Sequence, residues 1–538
     1  MVTGETTADL STASGEQAAS GEHTAAGQPT TADAGQPATK LSIAQILRSQ
    51  CAAYVKQYAG RGACFQVQSV LAKLSLCRTR ALGGKTYQCN DCGEVTEVHH
   101  SCSDRHCPQC SGCKRYDFAK RAEQLILPGL TYYQVVFTLP SELSEMALSN
   151  REAMADLLFE SAAASLHKTI RTQQDYEPAS MMILHTWNQR LEPHWHVHAL
   201  VPGGGPGLSK DGLSQGAQSK DEWKSAQSPP GAPNSDDYYL VDAISLREAF
   251  RKAAISHLRR LHKAGELKLG GKFAYLQDED AWKTFCDGLA AVDWVSFIQP
   301  PPTKSCTAEQ VVRYLARYLV GGPISDSRII AADEEHVTFM AREGKRVGGE
   351  REQVPVTLEA MEFVRRWCLH IQPDQLTKTR YFGGWCSRKR TAYQARCRAL
   401  LSPAATPTAP TQAEQADKPT EPAASPSESN PGNLIMKCPC CESESLRLVG
   451  SIAKPSWSIV LTHFDKRCPS WYAETERAAF CEYLEREYGI GYEDWCLEMR
   501  IESPMSEPAE GKASPPEPFH QMYLPGLSPE PDFAIQSY

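Results

Sequence analysis

The tightest constraint on this 538-residue chain is a run of thiols. Nine of its 20 cysteines precede residue 114, six of them lie between Cys89 and Cys113, and the next is Cys286. Thiols crowded this way in a reducing compartment favour metal over a disulfide framework. Cys89-Asn-Asp-Cys92 and Cys107-Pro-Gln-Cys110 are two Cys-x2-Cys knuckles with 14 residues between them, the spacing of a zinc ribbon. Each knuckle presents two thiolates from one tight turn, and the pair completes a closed tetrahedral S4 shell, which suits structural rather than catalytic zinc. Gly93, just after the second thiol, fits such a turn. Cys77, Cys102, His106 and Cys113 are spare ligands, so a second ion, or a different choice of four, stays open. Far downstream, Cys438-Pro-Cys-Cys441 reads either as half of another zinc site, with His463 and Cys468 as partners, or as part of a small core around Trp457 and Trp471.

The length suggests roughly three or four domains at about 150 residues each. Hydrophobic residues at 41% are enough to build cores. No apolar run approaches the roughly 18 to 20 residues of a membrane span, and the first residues lack a secretory h-region. The expectation is a soluble cytoplasmic protein with no membrane partner. The net charge of −8 is unevenly placed: residues 1–40, 399–432 and 501–538 carry −12 between them and leave +4 for the remainder. A mildly basic remainder permits a nucleic-acid partner without requiring one.

Composition and periodicity divide the chain. Residues 1–41 read as a disordered tail and 42–120 as an N-terminal zinc-binding domain that opens with a helix-forming segment. A catalytic domain is expected over 128–398. Its strands are Tyr132 to Pro140, Met181 to Trp187 and His194 to Val201, the last two joined by a short turn around Gln189 to Pro193. Residues 202–236 read as an insertion loop needing no structure, 293–299 as a strand and 308–319 as a helix. A linker over 399–432, a small module over 433–500 and a tail over 501–538 follow.

Two further patterns bear on chemistry. On a strand, His194, His196 and His198 project to one face, where two imidazoles can share a divalent cation and leave positions for an oxygen ligand, water and phosphate. On a helix, Tyr314 and Tyr318 lie one turn apart on one face, with Arg313 and Arg317 forming a basic edge beside them. A tyrosine hydroxyl near a metal-polarised phosphate can act as a nucleophile. Arg388, Lys389 and Arg390, next to Tyr381, Phe382 and Trp385, mix cations with aromatics as single-strand binders do. Gly84-Lys85-Thr86 is not a P-loop, because Thr79 stands where the first glycine belongs, so no ATP is expected.

The histidine strand followed by the paired tyrosines is the layout of HUH endonucleases. Phe137-Thr-Leu-Pro140, His185-Thr-Trp187, His194-Trp-His-Val-His198, Val201-Pro-Gly-Gly204 and Tyr314 through Ile329 resemble the two-tyrosine rolling-circle transposases of the IS91 type. Ser101 through Cys110 is similar to the zinc-binding domain that precedes the nuclease there, and the likeness spans roughly residues 45–390. Trp195, where a proline is usual, and the expanded 202–236 loop depart from the pattern.

The resemblance implies an α+β fold: an HUH antiparallel sheet with packed helices, preceded by a small zinc-binding domain. It implies Mg2+ or Mn2+ held by His196 and His198, with Gln189 as candidate third ligand and Glu192 and His185 as alternatives. Tyr314 or Tyr318 would attack single-stranded DNA at transposon ends and target, giving a 5′-phosphotyrosine. A host helicase or the replication machinery would open the strands. Three rivals stand beside it: a related replication initiator or relaxase, a non-catalytic zinc-ribbon DNA-binding protein, and an unrelated metal-dependent hydrolase.

Overall fold

Alternation along three segments builds the centre of the molecule. In β3 (Tyr132–Thr138), β4 (Ala179–Trp187) and β5 (Pro193–Pro202), residues two apart share a face. Val135, Phe137, Met182, Leu184, Trp195, Val197 and Ala199 all enter one apolar core. The helices Arg151–Gln174 and Ala243–Lys263 cover that face. On the opposite face Met181, Ile183 and Leu200 meet Trp385, Tyr393 and the 118–127 segment in a second core. With β8 (Val295–Gln299) and β12 (Thr379–Gly383) these strands form a five-stranded sheet in the order β12-β4-β5-β3-β8, every neighbouring pair antiparallel. This is the expected α+β arrangement. The computed structural model describes residues 42–58, 64–110, 118–127, 129–208, 222–229, 239–299, 322–342, 352–401 and 436–499.

Local chemistry explains how the long helices hold their places. In Arg151–Gln174 the buried hydroxyls of Ser165 and Thr169 return 2.8 Å bonds to the carbonyls of Ser161 and Ser165, so these two hydroxyls enter the core satisfied. Asp175, with φ 55°, ends that helix. Asp242 caps the other helix by accepting the Ser245 amide at 2.8 Å. Among the described residues, no helix is long and apolar enough to cross a membrane.

Packing crosses the boundaries expected from composition. A second sheet, β9 (Ile329–Ala332), β10 (His336–Arg342) and β11 (Gln353–Glu359), leads into the helix Ala360–Cys368. Phe339, Phe363, Val364 and Trp367 of this unit share one core with Ile43, Leu47, Tyr54, Val67 and Leu71 of the two N-terminal helices. The segment expected as a separate domain over 42–120 is therefore packed on residues of the 128–398 segment. A third sheet has the order β13-β1-β2, from β1 (Gly84–Cys89), β2 (Val95–His99) and β13 (Leu446–Ile452). The expected tethered module over 433–500 thus donates an edge strand to the N-terminal unit, and Trp457 and Trp471 pack against the same core. Gly84, Lys85 and Thr86 are paired on both sides within β1, so their backbone is committed to a sheet.

Part of the 202–236 insertion is ordered, against expectation. β6 (Gly204–Pro206) and β7 (Trp223–Ser225) form an antiparallel ribbon, with Trp223 packed against the second core. A Cβ on Gly204 would lie 2.7 Å from the Lys224 carbonyl oxygen, a close approach that only glycine allows.

Candidate active site and zinc centres

Period two and hairpin register together assemble the histidine cluster. β5 runs between β4 and β3, so His196 sits opposite His185 on one side and Thr138 on the other. With Trp195 and Val197 in the core, His194, His196 and His198 take the opposite face. The ring nitrogens of His185, His196 and His198 lie within 4.8 Å of one another. Ring centroids are 5.3 Å apart for His185–His196, 4.7 Å for His185–His198 and 4.9 Å for His196–His198.

The electrostatics favour neutral imidazoles with bare lone pairs. Burial, reinforced by His198 and His194, holds His196 well below the usual histidine range. Burial lowers His198 to about 4 and also lowers His194. His196 Nδ1 is 2.9 Å from the His194 carbonyl; a carbonyl only accepts, so Nδ1 carries the proton and Nε2 is a free donor to a cation. Gln134 Nε2, on β3, lies 2.7 Å from His198 Nδ1 and, as an amide nitrogen, can only donate to it. Turning the carboxamide end for end would present Oε1, which has no partner among the described residues, and only that orientation fixes the Nδ1–H tautomer and bares Nε2.

A supporting layer fixes the hairpin end. His185 stacks on Trp187 at 4.7 Å, and Lys378 Nζ lies 4.8 Å from the Trp187 ring. Buried His370 donates from Nε2 to the Leu191 carbonyl at 3.1 Å and accepts the Thr186 hydroxyl at Nδ1, 3.2 Å away. Burial lowers His370 to about 3.

The other expected ligands belong to the turn. The Gln189 carbonyl accepts from Arg328 at 2.5 Å, while Glu192 accepts from Asn188 at 2.8 Å and pairs with Arg366 at 3.4 Å. Among the described histidines, thiols and carboxylates, the third donor brought to His196 and His198 is His185. Tyr314, Tyr318, Arg313 and Arg317 lie outside the described residues. Of the basic trio, Arg388 is exposed, Lys389 pairs with Glu177 at 3.5 Å, and Arg390 lies 4.4 Å over the Tyr381 ring. They follow Gly383, which pairs with Ala179, so they stand at the far end of β4 from His185. Gln134 and Lys378 were invisible as site residues in the sequence, because only strand register brings them to the cluster.

The thiols group differently from the ribbon spacing. Cys89 and Cys92 do not meet Cys107 and Cys110: the structure gathers Cys77, Cys102, Cys107 and Cys110 in one place and Cys89, Cys92, Cys438 and Cys441 in another. In the first group Cys77–Cys110, Cys102–Cys110 and Cys77–Cys107 are 3.8, 3.6 and 3.6 Å apart. Sulfurs about 2.3 Å from one tetrahedral zinc are about 3.8 Å apart, so this buried set fits the ion. The Cys102 amide donates to Cys77 Sγ at 3.3 Å and the Asp104 amide to Cys102 Sγ at 3.4 Å, which stabilises thiolates. Spare ligand His106 is instead held by Asp104 at 3.0 Å. His463 is engaged with Glu476 and Tyr492 rather than with the 438–441 thiols, and Cys468 packs with Ala72 and Tyr472.

The family model described as "Putative transposase" matches residues 180–392, and the one described as "Transposase zinc-binding domain" matches residues 46–139. The chain is 31% identical over 406 residues to "Putative transposase y4qJ" of Sinorhizobium fredii (strain NBRC 101917 / NGR234), covering 74% of this chain and 92% of the relative. It is 26% identical over 342 residues to "Transposase for insertion sequence element IS801" of Pseudomonas savastanoi pv. phaseolicola, covering 63% of this chain and 75% of the relative. No solved structure gives a significant match. With the histidine hairpin inside one matched region and the first thiol cluster inside the other, the chain belongs to the IS91-type transposase family.

Proposed function

We propose that the chain nicks and rejoins single-stranded DNA at element ends through a tyrosine-linked intermediate, driving rolling-circle transposition. The observation that carries this reading is the convergence of His185, His196 and His198 on the face of the central hairpin away from the long helices, in a chain of a transposase family. Three ring nitrogens form a donor set that suits first-row transition ions, so Mn2+ is favoured over the strictly oxygen-seeking Mg2+. His185, His196 and His198 would hold the cation, which would supply polarisation of the scissile phosphodiester.

The chain's own residues do the rest. The His194 carbonyl holds the Nε2 lone pair of His196 in place, and the Gln134 carboxamide does the same for His198 when its Oε1 faces Nδ1. Tyr314 or Tyr318 supplies the nucleophile: its phenol oxygen bonds to phosphorus, the bond to the 3′ oxygen breaks, and the phenolic proton is made up on that leaving oxygen. A 5′-phosphotyrosine and a free 3′-OH result. The link keeps the phosphodiester bond energy, so rejoining needs no ATP. The second tyrosine accepts a second strand before the first is released.

The test is adduct formation on single-stranded end oligonucleotides with Mn2+ or Mg2+. Wild type is expected to give a denaturant-stable protein–DNA adduct, more with Mn2+, and Tyr314→Phe/Tyr318→Phe none. An adduct that survives in the double variant sinks the assignment, and turnover with no adduct favours a hydrolase.

A further inference from the structure

The second thiol group is made from opposite ends of the chain. Cys92 and Cys438, 346 residues apart in sequence, have their sulfurs 3.6 Å apart, and so do Cys89 and Cys441. All four sulfurs lie within 4.8 Å of one another, close to the roughly 3.8 Å of a tetrahedral zinc–thiolate shell.

The two halves share one backbone design. In the first, the Cys89 amide donates to the Glu94 carbonyl at 2.8 Å and the Gly93 amide to the Cys89 carbonyl at 3.0 Å. In the second, the Cys438 amide donates to the Ser443 carbonyl at 2.8 Å and the Glu442 amide to the Cys438 carbonyl at 2.9 Å. Each knuckle turns on a left-handed residue directly after its second cysteine: Gly93 at φ 76° and Glu442 at φ 58°. A glutamate in that conformation is held against its own preference. The knuckles are also bonded to each other, the Asn90 amide donating to the Ser445 carbonyl at 2.9 Å and the Ser443 hydroxyl to the Asp91 carboxylate. Beyond them β1 and β13 pair from Cys89↔Leu446 to Gly84↔Ile452.

We infer that Cys89, Cys92, Cys438 and Cys441 form a second structural zinc site, split between the N-terminal zinc-binding segment and the C-terminal segment, which the ion clips together. The matched zinc-binding region, residues 46–139, contains only half of it. The ion closes the sheet at its knuckle end, and at the other end Lys454 Nζ and Trp457 Nε1 donate to the Cys102 carbonyl at 3.1 and 3.3 Å, beside the first centre. The C-terminal segment is thereby a structural part of the zinc unit.

The test uses the full chain, purified with zinc and kept under a phosphine reductant so that disulfides are absent. Metal analysis should give two zinc ions per chain, and Cys438→Ser/Cys441→Ser one. Alkylation mapped by mass spectrometry supplies a measurement that needs no variant. Cys440 and Cys441 are adjacent and both exposed, so they differ chiefly in whether a metal holds the sulfur. Cys440 should alkylate at once, while Cys441 and exposed Cys92 stay protected until a chelator removes the ion and then react together. Equal rates for Cys440 and Cys441 in the zinc-loaded protein would overturn the inference. So would a wild-type content of one zinc, an unchanged zinc count in the double variant, or protection without a second ion.

Discussion

His198 shows how much of the candidate site depends on one neighbour. Its Nε2 is free for a cation only while Nδ1 carries the proton, and Gln134 is the group 2.7 Å from Nδ1. With the carboxamide turned so that Oε1 faces Nδ1, Gln134→Leu removes an acceptor and should weaken metal affinity roughly 10- to 100-fold, the usual effect of losing an outer-shell partner. Gln134→Glu supplies a carboxylate acceptor and should retain binding; Mn2+ titration of the three proteins separates orientation from simple loss of packing. His370 provides a pH signature. Its folded value, near 3, lies below the roughly 6.5 of an unfolded histidine, so between those values the unfolded chain binds more protons. Its stabilising contribution is complete above about pH 6.5 and is lost as the pH falls toward 3. The melting temperature should drop with acidification over that window, and more steeply than in His370→Gln. Trp195 is a third case: fully buried, with no partner for Nε1 among the described residues. Trp195→Phe removes the unsatisfied donor and should cost far less than the roughly 3–5 kcal/mol of Trp195→Ala in denaturant melts.

At the scale of elements, the β4–β5 hairpin is the working part. Its turn is shaped by Asn188, whose side-chain oxygen accepts the Arg190 amide at 2.8 Å and the Glu192 amide at 3.0 Å, with Leu191 at φ 63°. Asn188→Ala should destabilise by about 1 kcal/mol and loosen metal binding as well, because the same turn sets the register that puts His185 beside His196. That register marks the limit of what could be read in advance. Three histidines on one face of β5 follow from period two. That His185 joins them does not, because register and a bulge between His185 and Trp187 decide it. Within 202–236, Gly204–Pro206 and Trp223–Ser225 pair for a related reason: the composition is that of a loop, yet Trp223 has a core to pack against, and composition does not register a partner elsewhere in the chain.

For the whole molecule, the decisive fact is that the N-terminal helices share their core with a segment nearly 300 residues later in the chain. Ile43, Leu47 and Tyr54 pack with Phe339, Phe363 and Trp367, and the Ile43 amide donates to Asp326 at 2.8 Å. A fragment of residues 42–127 should therefore stay poorly ordered even with zinc, as judged by amide dispersion in NMR spectra, while the full chain melts cooperatively. The sequence alone determined what is local or periodic: the two-residue alternation that turns the histidines to one face, the Cys-x2-Cys turns that present thiolates in pairs, and the motif order that marks the transposase family. Only the tertiary structure decided which pairs meet. A Cys-x2-Cys turn is complete within four residues but holds half of a coordination shell. For Cys89 and Cys92 the other half is chosen by strand pairing and core packing between segments more than 300 residues apart, and no local spacing encodes that choice.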